Sequence, residues 1–288
     1  MKRKNGFTLV ELLVVIAIIA LLMGILMPAL ARVRQIAYRL ICGTNLSGIG
    51  KAMLVYSNDF DGELPRAGGP NSSWTATIAN WRNVSRSDAF STRGGASITS
   101  NFFLLVKYAD VTSSSFLCKG DSSVKKFELS DTDLANTGAD IVDCWDFGPA
   151  PQAHCSYSYH TPFGGYELTT SSDPGMAMAG DPNPWLNSSG FPARPNTPDW
   201  NNFDPGGDRE KIKWGNAQTH QGDGQNVLYL DGHVTCEKSS ACGVNDDNVF
   251  TKWGAGGEPN RKGARPVAGD VPANRADSLL MTDGKGGP

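Results

Sequence analysis

Charge is scarce in this chain of 288 residues, and neither sign dominates. Asp, Glu, Lys and Arg make up 19% of the sequence, and the formal net charge is -3 at pH 7. Proteins that bind nucleic acids usually carry a clustered surplus of Lys and Arg, because these side chains neutralise phosphates. The composition therefore argues against a nucleic-acid partner.

Catalytic motifs are missing as well. The sequence has no nucleophile elbow, no phosphate-binding glycine loop and no zinc-protease helix motif. Two sets of side chains could form a metal or acid-base cluster, His220 with Asp231 and His233, and His154 with Cys155 and His160. Neither set has the spacing of a structural or catalytic zinc site. We therefore expect structural histidines, no metal, no cofactor and no enzyme activity.

Apolar runs long enough to cross a membrane are absent, with one exception near the N-terminus. Residues 7–30 form an apolar run in which Glu11 is the only charged residue. A helix needs about 20 apolar residues to cross a bilayer, and the basic residues 2–4 in front favour a cytoplasmic N-terminus. We expect a membrane helix over residues 7–31 and an extracytoplasmic remainder.

Two other interpretations of this run stay open, a secretory signal peptide that is removed and a plain uncleaved anchor. Ala29 and Ala31 are small residues at which a signal peptidase can cut. The run is longer than the roughly 7–15 residues of a usual signal peptide, and it contains a carboxylate. Both features favour a segment that stays attached to the protein.

Residues 2–11, Lys-Arg-Lys-Asn-Gly-Phe-Thr-Leu-Val-Glu, resemble the cleavage and methylation signal of type IV pilins and type II secretion pseudopilins. In that bacterial family a prepilin peptidase, which is also an N-methyltransferase, cuts after the glycine and methylates the new terminal amine. The resemblance implies a leader over residues 1–6, cleavage between Gly6 and Phe7, and N-methylation of Phe7. Glycine before the scissile bond also suits an extended backbone in a protease site.

Glu11 would be the fifth residue of the processed chain. An unpaired carboxylate near a bilayer is costly, and such residues usually have a partner and a function. The best partner is the terminal amine on Phe7 of a neighbouring subunit, formed when apolar helices pack side by side in a filament. We therefore expect Glu11 to act in assembly.

The apolar helix is expected to bend and then to change character. Pro28 removes a backbone hydrogen bond, and Gly24 lies one turn earlier, so both mark a kink. Over residues 32–60 the pattern becomes amphipathic. Its apolar positions, spaced by threes, fours and their sums, are Ile36, Leu40, Leu46, Ile49, Met53 and Tyr56. This half is expected to pack on the domain.

The 6 cysteines lie in the part of the chain expected in an oxidising compartment, where disulfides persist. The pairings we consider are Cys236 with Cys242, Cys144 with Cys155, and Cys42 with Cys118. The first two would close short loops, and the third would tie the N-terminal helix to the domain. Buried thiols are the alternative, and sequence alone does not choose among the pairings.

The sequence pattern predicts that the rest of the chain, residues 61–288, forms a β-rich domain with long loops. Residues 225–230 and 233–237 alternate as strands around Asp231-Gly232, a dipeptide that favours a type I' hairpin. With His220, this hairpin resembles the C-terminal signature of a family of large prepilin-like proteins. Shorter strands are expected at residues 116–118, 156–159 and 176–179, and an irregular excursion at 183–208.

Together these features predict an α+β protein, a long N-terminal helix packed on an antiparallel sheet. The resemblance implies a pilin or pseudopilin-like filament subunit in the bacterial inner membrane, partnered by the prepilin peptidase and by other pilin subunits. The alternative is a membrane-tethered binding module that uses the same pathway. Trp74 and Trp81, in a loop rich in Gly, Ser and Asn, would then contact the ligand, although packing on a core edge is favoured.

Overall fold

A computed structural model describes residues 8–82, 85–90, 94–135, 137–186, 199–254 and 261–284. Its first element is helix α1, Leu9–Asp59, of 51 residues. At 1.5 Å per residue the helix is about 77 Å long. It runs without interruption through Gly24 and Pro28. The predicted kink at these two residues stays a prediction.

Both ends of α1 are set by local chemistry. Thr8 is the N-cap, and Thr8 and Glu11 form a capping box in which each side chain accepts a hydrogen bond from the backbone of the other. At the other end the chain turns at Asp61 and Gly62, which have φ of 51° and 82°. The amide of Gly62 then donates to the carbonyl of Ser57 at 2.8 Å, which closes the last turn.

The two halves of α1 differ in burial. Residues 8–34 are all exposed, whereas burial begins at Cys42. The buried positions are Cys42, Leu46, Ile49, Gly50, Ala52, Met53, Tyr56 and Ser57. The predicted packing face is therefore correct from Leu46 onward. It is wrong for Ile36 and Leu40, which are 52% and 68% exposed. At about 100° of rotation per residue, they lie on the side of the helix away from the buried positions.

The domain contains a five-stranded antiparallel sheet. Its strands are β3 Ser158–His160, β4 Ala177–Gly180, β5 Gln225–Tyr229, β6 Val234–Glu237 and β7 Leu280–Met281. They lie in the order β6-β5-β4-β3-β7. A parallel pair of two-residue strands, β1 Ser73–Trp74 and β2 Gly95–Ala96, lies apart from it. The other α-helices in the described segments are α2 Arg86–Phe90, α3 Ile98–Tyr108 and α4 Arg209–Lys213.

Short 3-10 helices fill many of the connections. They span Ser113–Phe116, Leu129–Asp131, Ile141–Asp143, Pro151–Ala153, Gln218–His220 and Val244–Asp246. The strand predicted at residues 116–118 is wrong, because Phe116 ends one of these helices. The strands predicted at 156–159 and 176–179 are present, displaced to Ser158–His160 and Ala177–Gly180.

The sheet separates two apolar clusters. Alternate residues of a strand point to opposite faces, and accordingly Leu228 of β5 joins the cluster that contains α1 and α3. Its neighbours Val227 and Tyr229 join the second cluster, with Trp185, Phe203 and Phe250. Helix α1 is thus fixed against one face of the sheet.

The predicted β5-β6 hairpin is present, but its turn differs from the prediction. Gly232 has φ of 87°, and Asp231 is not among the residues with positive φ, so the turn is not type I'. The amide of Gly232 donates to the carbonyl of Tyr229, and the amide of Tyr229 donates to the carbonyl of His233. This is a type I turn followed by a left-handed glycine, which forms a bulge.

Candidate functional site

The first half of α1 presents an apolar surface that its own domain leaves uncovered. Large side chains along it are exposed, for example Leu9 at 78% and Ile25 at 69%. Soluble monomers rarely expose a contiguous apolar patch above a few hundred Å². Within the described residues, α1 is the one helix long and apolar enough to cross a membrane. This half has the length and composition of a membrane anchor.

Glu11 lies at the exposed tip of this surface. Its carboxylate accepts hydrogen bonds from the Thr8 amide at 2.8 Å and from the Thr8 hydroxyl at 2.6 Å. The carboxylate also lies at the positive end of the helix dipole. In the described part of the chain it has no ion-pair partner. The arrangement leaves the negative charge available to a cation from outside the chain.

A comparison with known families bears on this segment. Residues 1–27 match the family model described as the prokaryotic N-terminal methylation motif. The chain carries the N-terminal signal of type IV pilins and pseudopilins. No curated protein and no solved structure matches the chain.

The prepilin signal includes the expected cleavage point. Gly6 and Phe7 lie outside the described residues, so their geometry adds nothing to the match. The described part of the signal, from Thr8 onward, is an exposed helix that starts immediately beyond the expected cut. The resemblance of His220 and Asp231-Gly232 to a C-terminal signature stays a prediction, since the match ends at residue 27.

The second half of α1 lies close to the sheet. A Cβ atom added to Gly50 would be 2.7 Å from Leu228 Cδ1, and one added to Gly43 would be 3.2 Å from Asn226 Oδ1. Asn226 Nδ2 also donates to the carbonyl of Arg39 at 3.1 Å. Small residues on the helix therefore let β5 approach its backbone.

A disulfide joins this half of α1 to the domain. It links Cys42 of α1 to Cys118, which follows the 3-10 helix Ser113–Phe116, and it spans 76 residues of sequence. Tyr157, whose hydroxyl donates to the carbonyl of Cys42 at 3.4 Å, covers the same junction. Of the three pairings considered from the sequence, this is the one that the structure forms.

The other two pairings are not formed, and all four remaining cysteines are free thiols. Cys144 and Cys155 are separately buried, and the Cys155 thiol donates to the carbonyl of Tyr157. The Cys242 thiol donates to the carbonyl of Ser240. Burial raises the pKa of the Cys144 thiol to about 11, so that thiol is unreactive at neutral pH.

A buried polar cluster adjoins the disulfide. His220 Nε2 is 3.6 Å from Cys118 Sγ and 3.2 Å from Asp181 Oδ2. The backbone amide of Asn226 donates to the same carboxylate oxygen at 2.7 Å. The side chains of His220 and Asp181 are fully buried. Helix α1, the loop at Cys118 and strands β4 and β5 meet at this cluster.

The structure does not assemble the clusters considered from the sequence. His220 is buried, whereas Asp231 and His233 are about half exposed at the hairpin turn, where their side chains are hydrogen-bonded to each other. His154 Nδ1 lies 2.9 Å from the carbonyl of Lys125, and His160 Nε2 lies 3.4 Å from the carbonyl of Tyr166. Burial lowers the pKa of His160 to about 4, which keeps this imidazole neutral.

Sequence reasoning missed two members of the cluster. Asp181 lies two positions beyond the strand predicted at residues 176–179, and Asn226 lies within the strand predicted at 225–230, but neither pattern marks a functional residue. An acidic residue at the end of an otherwise apolar strand is a weak signal, since turns favour Asp for their own reasons. The partners of Asp181 lie 39 and 45 positions further along the chain, and no local pattern connects them.

A second buried polar group stabilises the start of α3. The Asp283 carboxylate accepts hydrogen bonds from the amides of Ile98 and Thr99, at 2.8 and 2.7 Å. Asp146 Oδ2 lies 2.5 Å from the hydroxyl of Ser97, the N-cap of α3. Burial, reinforced by the charge of Asp283, raises the pKa of Asp146 to about 8. This pair ties the C-terminal segment to α3.

The tryptophans of the Gly- and Ser-rich loop pack against the domain. Trp81 is 6% exposed and contacts Phe127 edge-on. Trp74 is partly buried, and its indole N–H donates to Asp283 at 3.0 Å. The preferred interpretation, that these rings cover a core edge, is confirmed.

Proposed function

We propose that the protein is a structural subunit of a filament of the type IV pilus or type II secretion class. The observation that carries the proposal is the exposed apolar half of α1, continuous with a half that is fixed to a folded domain. A bilayer can cover this surface before assembly, and neighbouring copies of the same helix can cover it afterwards. The methylation motif supports entry into the prepilin pathway.

The proposed topology follows from the same segment. The basic leader stays in the cytoplasm, α1 crosses the inner membrane once, and the domain lies outside. A prepilin peptidase cuts after Gly6 and methylates Phe7. The domain then has a non-catalytic role at the filament surface.

Glu11 has a defined role in this proposal. Within the described residues, its carboxylate accepts hydrogen bonds from the neutral amide and hydroxyl groups of Thr8. In the filament, the terminal amine of an adjacent subunit would add an ion pair in a low-dielectric environment, where an unpaired carboxylate is costly. Because this ion pair forms only when Glu11 of one subunit lies beside the terminal amine of the next, it fixes the axial register between neighbouring helices.

The experiment compares Glu11→Ala with Thr8→Val in the native host. Glu11→Ala is expected to be processed and membrane-bound but absent from sheared filaments, because the intersubunit ion pair is lost. Thr8→Val removes the capping hydroxyl and keeps the carboxylate, so it is expected to assemble. Immunoblots of the membrane and filament fractions measure both.

Normal incorporation of Glu11→Ala would contradict the proposal. Equal failure of both variants would mean that Glu11 acts by capping its own helix. The binding-module alternative gains no support from Trp74 and Trp81, since both rings are engaged by the domain. Their substitution would disturb packing rather than probe a ligand.

A further inference from the structure

One buried cluster has the composition of a metal site. Cys42, Cys118, Asp181 and His220 each bring a potential ligand atom within 4.8 Å of the others, and all four residues are buried. We propose that, when the Cys42–Cys118 disulfide is reduced, these four side chains bind one Zn²⁺ ion. The disulfide is then the oxidised, metal-free state of the same site.

The donor set matches what zinc prefers. Structural zinc sites use four ligands drawn from thiolate, imidazole and carboxylate, arranged as a tetrahedron. Two sulfurs, one imidazole nitrogen and one carboxylate oxygen fill such a site completely. Two thiolates also favour zinc over magnesium and calcium, which prefer oxygen ligands.

The distances between the potential ligand atoms also fit a tetrahedral zinc site. With Zn–S bonds of roughly 2.3 Å and Zn–N bonds of roughly 2.0 Å, tetrahedral geometry places S and N ligands about 3.5 Å apart. The Cys118 Sγ to His220 Nε2 distance is 3.6 Å. Nitrogen and oxygen ligands should be about 3.3 Å apart, and His220 Nε2 lies 3.2 Å from Asp181 Oδ2. The two sulfurs, which are bonded in the disulfide, must separate to about 3.8 Å, and all four ligand atoms already lie within 4.8 Å of one another.

Hydrogen bonds from Asn226 hold the Asp181 carboxylate in position to bind a metal ion. Asn226 donates to Asp181 Oδ2 from its backbone amide at 2.7 Å and from its side-chain amide at 3.1 Å. Asp181 Oδ1 is buried and has no hydrogen-bond partner among the described residues. A buried carboxylate with an unpartnered oxygen is costly, and the positive charge of an ion bound at Oδ2 would offset that cost. Asn226 would then orient the ligand from outside the first coordination sphere.

The two states are related by a balanced exchange. A dithiol reductant transfers two electrons and two protons to the Cys42–Cys118 disulfide and is itself oxidised to a disulfide. Zn²⁺ then displaces the two thiol protons and binds the resulting thiolates. His220 binds the ion through the lone pair of Nε2. In either state, α1 stays connected to the loop at Cys118 and to the sheet.

The test uses the full chain in detergent micelles under anaerobic conditions. The chain is reduced with a phosphine, desalted and titrated with Co²⁺, whose charge-transfer and ligand-field bands report tetrahedral thiolate binding. Zn²⁺ content after desalting is measured by mass spectrometry. The reduced wild type is expected to bind one ion per chain with both spectral features, and the disulfide form none.

Variants assign the ligands. Asp181→Asn and His220→Gln keep both cysteines, so their oxidised forms can be checked for the disulfide and for folding before reduction. Each is expected to weaken Zn²⁺ binding at least 100-fold. The control variants are Cys236→Ser/Cys242→Ser and His233→Gln, which alter thiols and an imidazole outside the cluster and are expected to bind like the wild type.

Three outcomes would overturn the proposal. The first is a reduced wild type that binds no more metal than Cys118→Ser. The second is loss of binding in the control variants to the same extent as in Asp181→Asn. The third is a reduced chain that unfolds and is not restored by Zn²⁺.

Discussion

Single buried carboxyl groups set the pH response of the domain. Burial raises the pKa of four of them, Asp146 to about 8, Asp247 to about 7, and Asp277 and Asp283 to about 6. In the unfolded chain each would titrate near 4. At a pH between the unfolded-state and the folded-state pKa, each of these carboxyl groups is protonated in the folded protein and ionised in the unfolded chain. The contribution of these groups to the free energy of unfolding is therefore largest below about pH 4, and it is lost as the pH rises through the folded-state pKa.

Asp146→Asn tests this response at the residue with the largest shift. Asp146 Oδ1 accepts from the Phe147 amide, and Oδ2 accepts from the Ser97 hydroxyl. Asparagine keeps the first acceptor, carries no charge and places its Nδ2 group beside Ser97. The free energy of unfolding of the wild type is expected to fall between pH 5 and 7 with a slope of up to about 1.4 kcal/mol per pH unit for each such group. Asp146→Asn is expected to remove one group's share of that slope, measured by urea unfolding in micelles.

Asp59→Asn, at the exposed end of α1, is the control, and it should leave the slope unchanged. An Asp146→Asn variant with the wild-type slope would mean that Asp146 is ionised in the folded protein.

At the scale of the element, the contact between α1 and β5 depends on a glycine. Gly50 is buried against Leu228, which is itself fully buried, whereas Gly48 faces solvent and nothing lies within 4 Å of an added Cβ. The two glycines share one helix and differ only in the face they occupy. The same substitution at both positions therefore separates packing from helix propensity.

Gly50→Val is expected to lower the free energy of unfolding by roughly 2 kcal/mol, because the added methyl groups must displace Leu228 in a packed core. Gly48→Val is expected to change it by no more than about 0.5 kcal/mol, since valine is a somewhat better helix former than glycine. Thermal or urea unfolding of the two variants measures the difference. A loss of stability at Gly48 equal to that at Gly50 would contradict the close approach.

Helix α1 and the β5-β6 hairpin show which structural features the sequence pattern predicts and which it does not. Leu46, Ile49, Met53 and Tyr56 were predictable because helical spacing alone puts them on one face. Ile36 and Leu40 do not share that face, because the six-residue step from Leu40 to Leu46 turns the helix by about 240°. The hairpin at Asp231-Gly232 was predictable in position, whereas its turn type depends on backbone angles that the dipeptide leaves open.

The residues of the candidate site also differ in whether the sequence alone reveals them. Glu11 stands out because a lone carboxylate in an apolar run has few explanations. Asp181 does not stand out, because its role depends on His220 and Asn226, which only the folded sheet brings near.

At the scale of the whole molecule, the disulfide joins the filament-forming helix to the domain. In the chain-entropy account, a crosslink that closes a loop of this size stabilises the folded state by about 4 kcal/mol. Its loop of 76 residues contains the second half of α1 together with α2 and α3. Reduction should therefore loosen the domain and leave the apolar half of α1 unaffected.

Reduction in the presence of a chelator, which prevents metal from replacing the crosslink, is expected to lower the free energy of unfolding by about 4 kcal/mol. Tryptophan fluorescence during urea unfolding measures this, since Trp81 and Trp145 are buried in the domain. The Cys236→Ser/Cys242→Ser variant, whose disulfide is intact, should show the same loss on reduction. No change on reduction would mean that packing alone holds α1 to the sheet.

The central claim, that the chain is a prepilin-type subunit, is tested most directly by its N-terminus. The measurement is the intact mass and N-terminal sequence of the protein extracted from membranes of its native host. The account predicts a chain that starts at Phe7 and carries one additional methyl group. A chain that starts at Met1, or one that starts beyond Ala29, would contradict it.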